Sequence, residues 1–204
     1  MNTLSWRSPP QKTIRAFKVT IFLLSLLPFA GLCLDAAMDA LGANPIEKIT
    51  HTTGWWTLTF LMIVLTVTPL RKLSDWPWLM RFRRMLGLFA FFYGCLHFLT
   101  YLVLDQFFDW NTIVPDITKR PYITVGFLAL VLMTVLAVTS NNAIIRHLGG
   151  KAWHRLHKLV YVIAVAGVVH FWWLVKKDIS EPATFAVVLA ILLGFRVVWT
   201  LREK

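Results

Sequence analysis

Residues 153–175 read WHRLHKLVYVIAVAGVVHFWWLV, and the seventeen positions after Lys158 carry no formal charge. Wound as a helix at about 1.5 Å per residue, the stretch matches the ~30 Å hydrocarbon core of a bilayer. It therefore predicts a membrane-crossing helix that carries His157 and His170 into the membrane. Further apolar runs at 15–34, 52–70, 85–104, 121–139 and 183–200 are separated by charge clusters and by Pro or Gly. Six spans of about 20 residues each take up roughly 120 of the 204 positions, leaving no room for a soluble catalytic domain. Composition agrees, with 57% hydrophobic and 15% charged residues and a mean hydropathy of +0.64. These values exclude a disordered, fibrous or ordinary soluble chain. The expected fold is an all-α membrane protein, a six-transmembrane-helix bundle forming a single domain over residues 1–204. Cys33 and Cys95 both lie in apolar runs, which indicates neither a disulfide framework nor a cysteine zinc site.

Charge sets the expected orientation. Alternate loops and both tails hold sixteen basic residues against two acidic ones, while the opposite loops hold five against eight. The resulting +14 and −3 together make the chain's +11. By the positive-inside rule both termini are expected to be cytoplasmic. The basic residues sit in short blocks at span ends, Arg71, Lys72, Arg81, Arg83 and Arg84 among them, where topology and membrane lipid headgroups account for them and nucleic acid is not expected. The first apolar run follows a basic segment, as a signal peptide would, but Leu32 before Cys33 is too large for a lipoprotein site. A retained helix is the expectation. Pro28 inside it predicts a kink tolerated by neighbouring helices, and tryptophans near span ends are expected to anchor the bundle at the interfaces.

Ionisable groups within spans are costly and are functional candidates by default. Here they are histidines, and neutral imidazole can ligate iron inside a helix bundle. Counting from the basic ends of their helices, His97 lies about 18 Å along its span, His170 about 26 Å and His157 about 6 Å. His97 and His170 can thus share a level, and small residues lie one turn before each: Gly94 before His97, and Ala166 and Gly167 before His170. Such surfaces suit a flat macrocycle, so haem ligation by this pair is the expected role. His157 is a further candidate ligand and His154 an alternate one. His51 reads as an interface cap and His147 as a solvated loop residue. Thirteen residues leave His157 and His170 about 140° apart around a helix, so they serve one site only if the helix is distorted near Gly167.

Thr68-Pro69-Leu70-Arg71, Arg83-Arg84-Met85-Leu86-Gly87-Leu88, Tyr93, His97, the run Trp153 to Tyr161 and His170 together resemble the ferric-reductase-like transmembrane family. The resemblance covers nearly the whole chain. It implies a haem b inner-membrane subunit that passes electrons from the quinone pool to a periplasmic molybdopterin enzyme of the MsrP kind, which reduces methionine sulfoxide in proteins. It puts His97, His157 and His170 on the family's haem-linked histidines and implies FMN, for which no motif is present. Related oxidases carry two histidines on the third helix, but here Arg84 and Arg83 occupy the positions thirteen and fourteen before His97. The resemblance therefore supports one haem and leaves a second possible. Arg83 and Arg84 are candidates to pair with haem propionates or a flavin phosphate, alongside simple topological anchoring. The chain ends at Lys204 without the flavin and nicotinamide domain of ferric reductases, so a separate donor is expected, either quinol or a soluble cytoplasmic flavin reductase.

The expected role is non-catalytic electron transfer, with the Asp-rich segment Asp105 to Asp116 as docking surface. Two alternatives stay open: a b-type cytochrome serving another oxidoreductase, and a histidine-lined proton or metal transporter.

Overall fold

A computed structural model describes residues 8–175 and 177–202; Arg7, Lys176, Glu203 and Lys204, counted above for orientation, lie outside the described residues. The described residues form helices and connecting turns, without a strand. In chain order they are α1 (Gln11–Ala37), α2 (Pro45–Ser74), α3 (Met80–Leu99), α4 (Trp110–Lys119), α5 (Pro121–Val138), α6 (Asn142–Leu148), α7 (Gly150–Leu156), α8 (Leu159–Leu174) and α9 (Ser180–Arg202). A 3-10 turn at Pro77–Leu79 leads into α3, and a π-helical turn at Thr100–Asp105 follows it. Six segments are long and apolar enough to cross a membrane: α1, α2, Pro77–Asp105, α5, Gly150–Leu174 and α9.

The helices overrun the apolar stretches that identify them. The second starts at Pro45 rather than 52 and runs past Pro69 to Ser74. Its start is chemically defined: Pro45 occupies the first turn, and the Asn44 side chain both accepts from the Glu47 amide at 3.3 Å and donates to the Glu47 carboxylate at 2.9 Å. Asp75, at φ 56°, ends it. The segment after the third span, expected as loop, contains α4. Asp109 caps α4 by accepting from the Asn111 amide at 3.0 Å and the Thr112 hydroxyl at 2.9 Å.

Two helix pairs dominate the packing, α2 with α3 and α5 with α8. Aromatic residues Phe60, Phe89 and Tyr93 stack between the first pair, with Leu65, Ala164 and Ile163 among the most buried side chains. At the bundle's edge α1 packs on α3 through the kink at Pro28. Proline leaves the ladder open there, and the Tyr93 hydroxyl occupies the gap. It donates to the Ser25 carbonyl at 2.7 Å and accepts from the Phe29 amide at 3.2 Å, serving the i and i−4 groups one residue beyond the bond to the Leu24 carbonyl that Pro28 cannot make. This is how a neighbouring helix tolerates Pro28. On the other side Arg196 of α9 donates to the Leu65 and Leu192 carbonyls, tying α9 to α2.

The fifth span is not distorted at Gly167, which lies within regular α8; the interruption is at His157 and Lys158, between α7 and α8. One end of the bundle, bearing residues 35–48, 105–120 and 177–181, is acidic, with eight Asp and Glu against four Lys and Arg, and the other, bearing 71–84 and 139–158, is basic, with nine Lys and Arg against one Asp.

Candidate functional site

A cavity of about 760 Å³ opens at the acidic end and runs inward between α2, α3, α5 and α8. Leu61, Met133 and Ile163 line its apolar depth, while Glu47, His51, Asp105, Asp116 and Arg120 line its mouth. Its volume lies in the range of cofactor and small-molecule sites.

His97 and His170 enter this cavity from α3 and α8. Their ring centroids are 6.1 Å apart with planes 85° from parallel. Two imidazoles on opposite sides of one metal, each about 2 Å from it through a ring nitrogen, place their centroids roughly 6 Å apart. Each ring is oriented the same way. His97 Nδ1 donates to the Thr50 carbonyl at 2.9 Å, and His170 Nδ1 donates to the Tyr122 carbonyl at 2.6 Å. A carbonyl only accepts, so the proton sits on Nδ1 and Nε2 is left as a lone-pair donor on the cavity side. Tying the far nitrogen of a ligand imidazole to a backbone carbonyl is the usual way its tautomer is fixed.

Both rings need glycine beneath them. A Cβ on Gly54 would lie 3.0 Å from His97 Nδ1, and one on Gly126 would lie 2.7 Å from His170 Nδ1. Each glycine follows, by one helical turn, the residue whose carbonyl holds the ring: Thr50 and Gly54 on α2, Tyr122 and Gly126 on α5. Sequence reasoning missed these seats because it looked for small residues on the histidines' own helices. Gly94 and Gly167 do line the cavity, but a Cβ on Gly94 would meet neighbours only at 3.6 Å, and one on Gly167 would meet Leu58 at 2.8 Å. The signal was a glycine one turn after a residue near a span's end, legible only once the neighbouring helices are known.

The other sequence candidates lie elsewhere. His157 does not line the cavity; it stacks on Trp153 at 3.9 Å, with Nδ1 donating to the Trp153 carbonyl at 3.1 Å and Nε2 3.3 Å from the Ser140 hydroxyl. Its tautomer is thus fixed as in the other two, but no second imidazole faces it. His154 is exposed beside Trp153, and His147 is exposed on α6. His51 lines the cavity mouth and pairs with Glu181 at 3.2 Å, linking α2 to α9. Arg84 donates to Asn142 Oδ1 at 2.5 Å, and Arg83 is half-buried against Tyr161; neither lines the cavity.

The Asp105 to Asp116 segment also divides differently from expectation. Asp105 and Asp109 are exposed, but Asp116 is only 7% exposed and turns inward. It accepts from the Tyr101 hydroxyl at 3.4 Å and pairs with Arg120 Nε at 3.1 Å. An aspartate spent on the cavity wall is not docking surface. The Tyr122 hydroxyl and the Asp116 carboxylate hold the Arg120 guanidinium above its ordinary value.

Two imidazoles with Nδ1 occupied and Nε2 unused, lining one cavity of this size, fit a planar metal group that brings its own equatorial ligands. A bare ion finds less: among the described residues no three His, Cys, Asp or Glu side chains converge on a metal position.

A family described as the ferric reductase like transmembrane component matches residues 53–168. The chain is 54% identical over 199 residues to the protein-methionine-sulfoxide reductase heme-binding subunit MsrQ of Herminiimonas arsenicoxydans, covering 97% of this chain and 90% of that protein. It is 56% identical over 195 residues to the MsrQ of Azospira oryzae, covering 95% and 84%. To the MsrQ of Rhodospirillum rubrum it is 50% identical over 190 residues, covering 93% and 91%.

Proposed function

The chain belongs to the ferric-reductase-like transmembrane family, among the MsrQ subunits, and from that premise we propose that it is the haem b-containing electron-transfer subunit of a methionine sulfoxide reductase system. It is a multi-pass inner-membrane protein. The observation that carries the reading is the pair His97 and His170, from separate spans, with Nδ1 of each tied to a carbonyl and the two rings 6.1 Å apart across one cavity.

In this reading the Nε2 atoms of His97 and His170 hold the iron of a haem b. When bound, the haem supplies one-electron chemistry at its iron, with a potential tuned by ligands, burial and hydrogen bonding. The chain contributes position and environment. Thr50 and Tyr122 keep both imidazoles in the ligating tautomer, Gly54 and Gly126 let the rings lie against α2 and α5, and Leu61, Met133 and Ile163 keep water from the inner end of the cavity. No residue here breaks a substrate bond.

Direction follows from the charge asymmetry. With the basic end and both termini in the cytoplasm, the cavity mouth faces the periplasm, where an MsrP-like molybdoenzyme accepts electrons at the exposed Asp105 and Asp109. Electrons enter at the basic end from the quinone pool or from a cytoplasmic flavin reductase. His157 stands at that end with an imidazole ready to ligate a second haem if the Ser140 hydroxyl gives way. FMN, also implied by the family, would find the Arg83 and Arg84 guanidinium groups there for its phosphate.

Rapid mixing tests the reading: purified, dithionite-reduced protein should show a b-type haem spectrum and be reoxidised on adding the MsrP-like partner with methionine sulfoxide. A protein that takes up no haem when supplied with it would overturn the electron-transfer role. A reduced haem indifferent to that partner would instead assign the chain to another oxidoreductase.

A further inference from the structure

Among the described residues lining the cavity, Arg120 is the one lysine or arginine. The other ionisable groups around the mouth are the carboxylates Glu47, Asp105 and Asp116, the tyrosines Tyr101 and Tyr122, and His51, which is paired with Glu181, so Arg120 is the one permanent positive charge there that can attract an anion. The inner end, at Leu61, Met133 and Ile163, offers only apolar contact. An occupant with one apolar edge and one carboxylate edge can satisfy both ends in a single orientation. Its carboxylates would lie outward, against Arg120.

Arg120 stands at the mouth with its side chain 54% exposed, held from one side by a buried partner. Asp116, 7% exposed, takes the Nε edge at 3.1 Å, and the Tyr101 hydroxyl holds the other Asp116 oxygen at 3.4 Å. Five N–H donors belong to a guanidinium; Asp116 takes Nε and the Tyr122 hydroxyl engages the group as well, which leaves further N–H donors to receive a carboxylate. The anchor is also short of slack. Arg120 immediately precedes α5 and lies two residues before Tyr122, whose carbonyl fixes His170, so the group that meets a carboxylate and the group that aligns a ligand nitrogen both sit at the start of one helix.

We infer that Arg120 is the propionate-binding residue of the haem held by His97 and His170, with Asp116 and Tyr101 as its positioning residues. This rests on the haem reading above. It moves the propionate contact from Arg83 and Arg84, which do not line the cavity, to a residue at the opposite end of the bundle.

The test is full-length protein expressed under haem limitation and titrated in one detergent with iron protoporphyrin IX and, separately, with its dimethyl ester, the Soret band reporting binding. Wild type and Arg120→Gln are compared for each porphyrin, so partition of either into detergent cancels. Arg120→Gln should weaken the diacid at least tenfold and leave the diester within twofold, while Arg120→Lys retains most of the diacid affinity. Asp116→Asn should weaken the diacid by a smaller factor and spare the diester. Equal weakening of both porphyrins in Arg120→Gln makes Arg120 a packing residue and overturns the inference, as does unchanged affinity for both. Should Arg120→Gln fail to fold, Asp116→Asn is compared with wild type for each porphyrin in the same way, and equal weakening of both, or of neither, overturns the inference. If wild type takes up neither, or takes up the diester undiminished after His97→Ala, the haem reading itself fails.

Discussion

The two ends of the bundle both carry histidine at the membrane and differ in what surrounds it. His97, His170 and His157 each donate Nδ1 to a backbone carbonyl, so each has the tautomer a ligand needs. Only the first two face one another across a cavity with glycine seats. His157 stacks on Trp153 and rests its Nε2 near Ser140. An intramembrane histidine is therefore not a ligand by residue type. A free nitrogen, a facing partner and room for the group between them make it one.

The sharpest way to break this contrast is to remove each ring in turn. His97→Ala and His170→Ala should each abolish most of the haem absorbance of the purified protein, whereas His157→Ala should leave the absorbance of the His97 and His170 site in place. Loss of half the haem in His157→Ala would assign a second haem to the basic end.

Next come the seats. Gly126→Ala drives a methyl to 2.7 Å from His170 Nδ1 and Gly54→Ala to 3.0 Å from His97 Nδ1, whereas Gly94→Ala meets ordinary contacts at 3.6 Å. Overpacking typically costs about 1–3 kcal/mol. Haem occupancy after purification should fall in the order Gly126→Ala, Gly54→Ala, Gly94→Ala, the last close to wild type. A uniform response would deny the seats any special role.

Tyr93→Phe probes the scaffold both ends share. It strands the Ser25 carbonyl and the Phe29 amide in a buried kink, at about 1–3 kcal/mol for an unsatisfied buried group. A lower unfolding temperature with an unchanged haem spectrum is expected. Trp153→Leu should do least, removing the ring beneath His157 while leaving the spectrum of the His97 and His170 site untouched.

Hydropathy and charge made the six spans, their alternation and the shared level of His97 and His170 legible in the sequence. Helix ends were less so, because backbone hydrogen bonding carries α2 from Pro45 to Ser74, well past its apolar run. The amphipathic α4 was read as loop, since ten residues that include Pro115 and Asp116 give no span signal. Thr50, Gly54, Tyr122 and Gly126 escaped for a deeper reason. They matter through contacts between α2 and α3 and between α5 and α8, and hydropathy does not say which spans are neighbours. Asp116 looked like exposed acid until Tyr101 and Arg120 were placed beside it.

Low-temperature electron paramagnetic resonance of the ferric protein tests the central claim most directly, that imidazoles of two separate spans flank one haem iron. With ring planes 85° apart, the two imidazole π systems would act on different d orbitals of a haem iron held between them and would leave those orbitals nearly degenerate. The account predicts a strongly anisotropic low-spin signal that disappears in both His97→Ala and His170→Ala. The same low-spin signal persisting in either variant would contradict it.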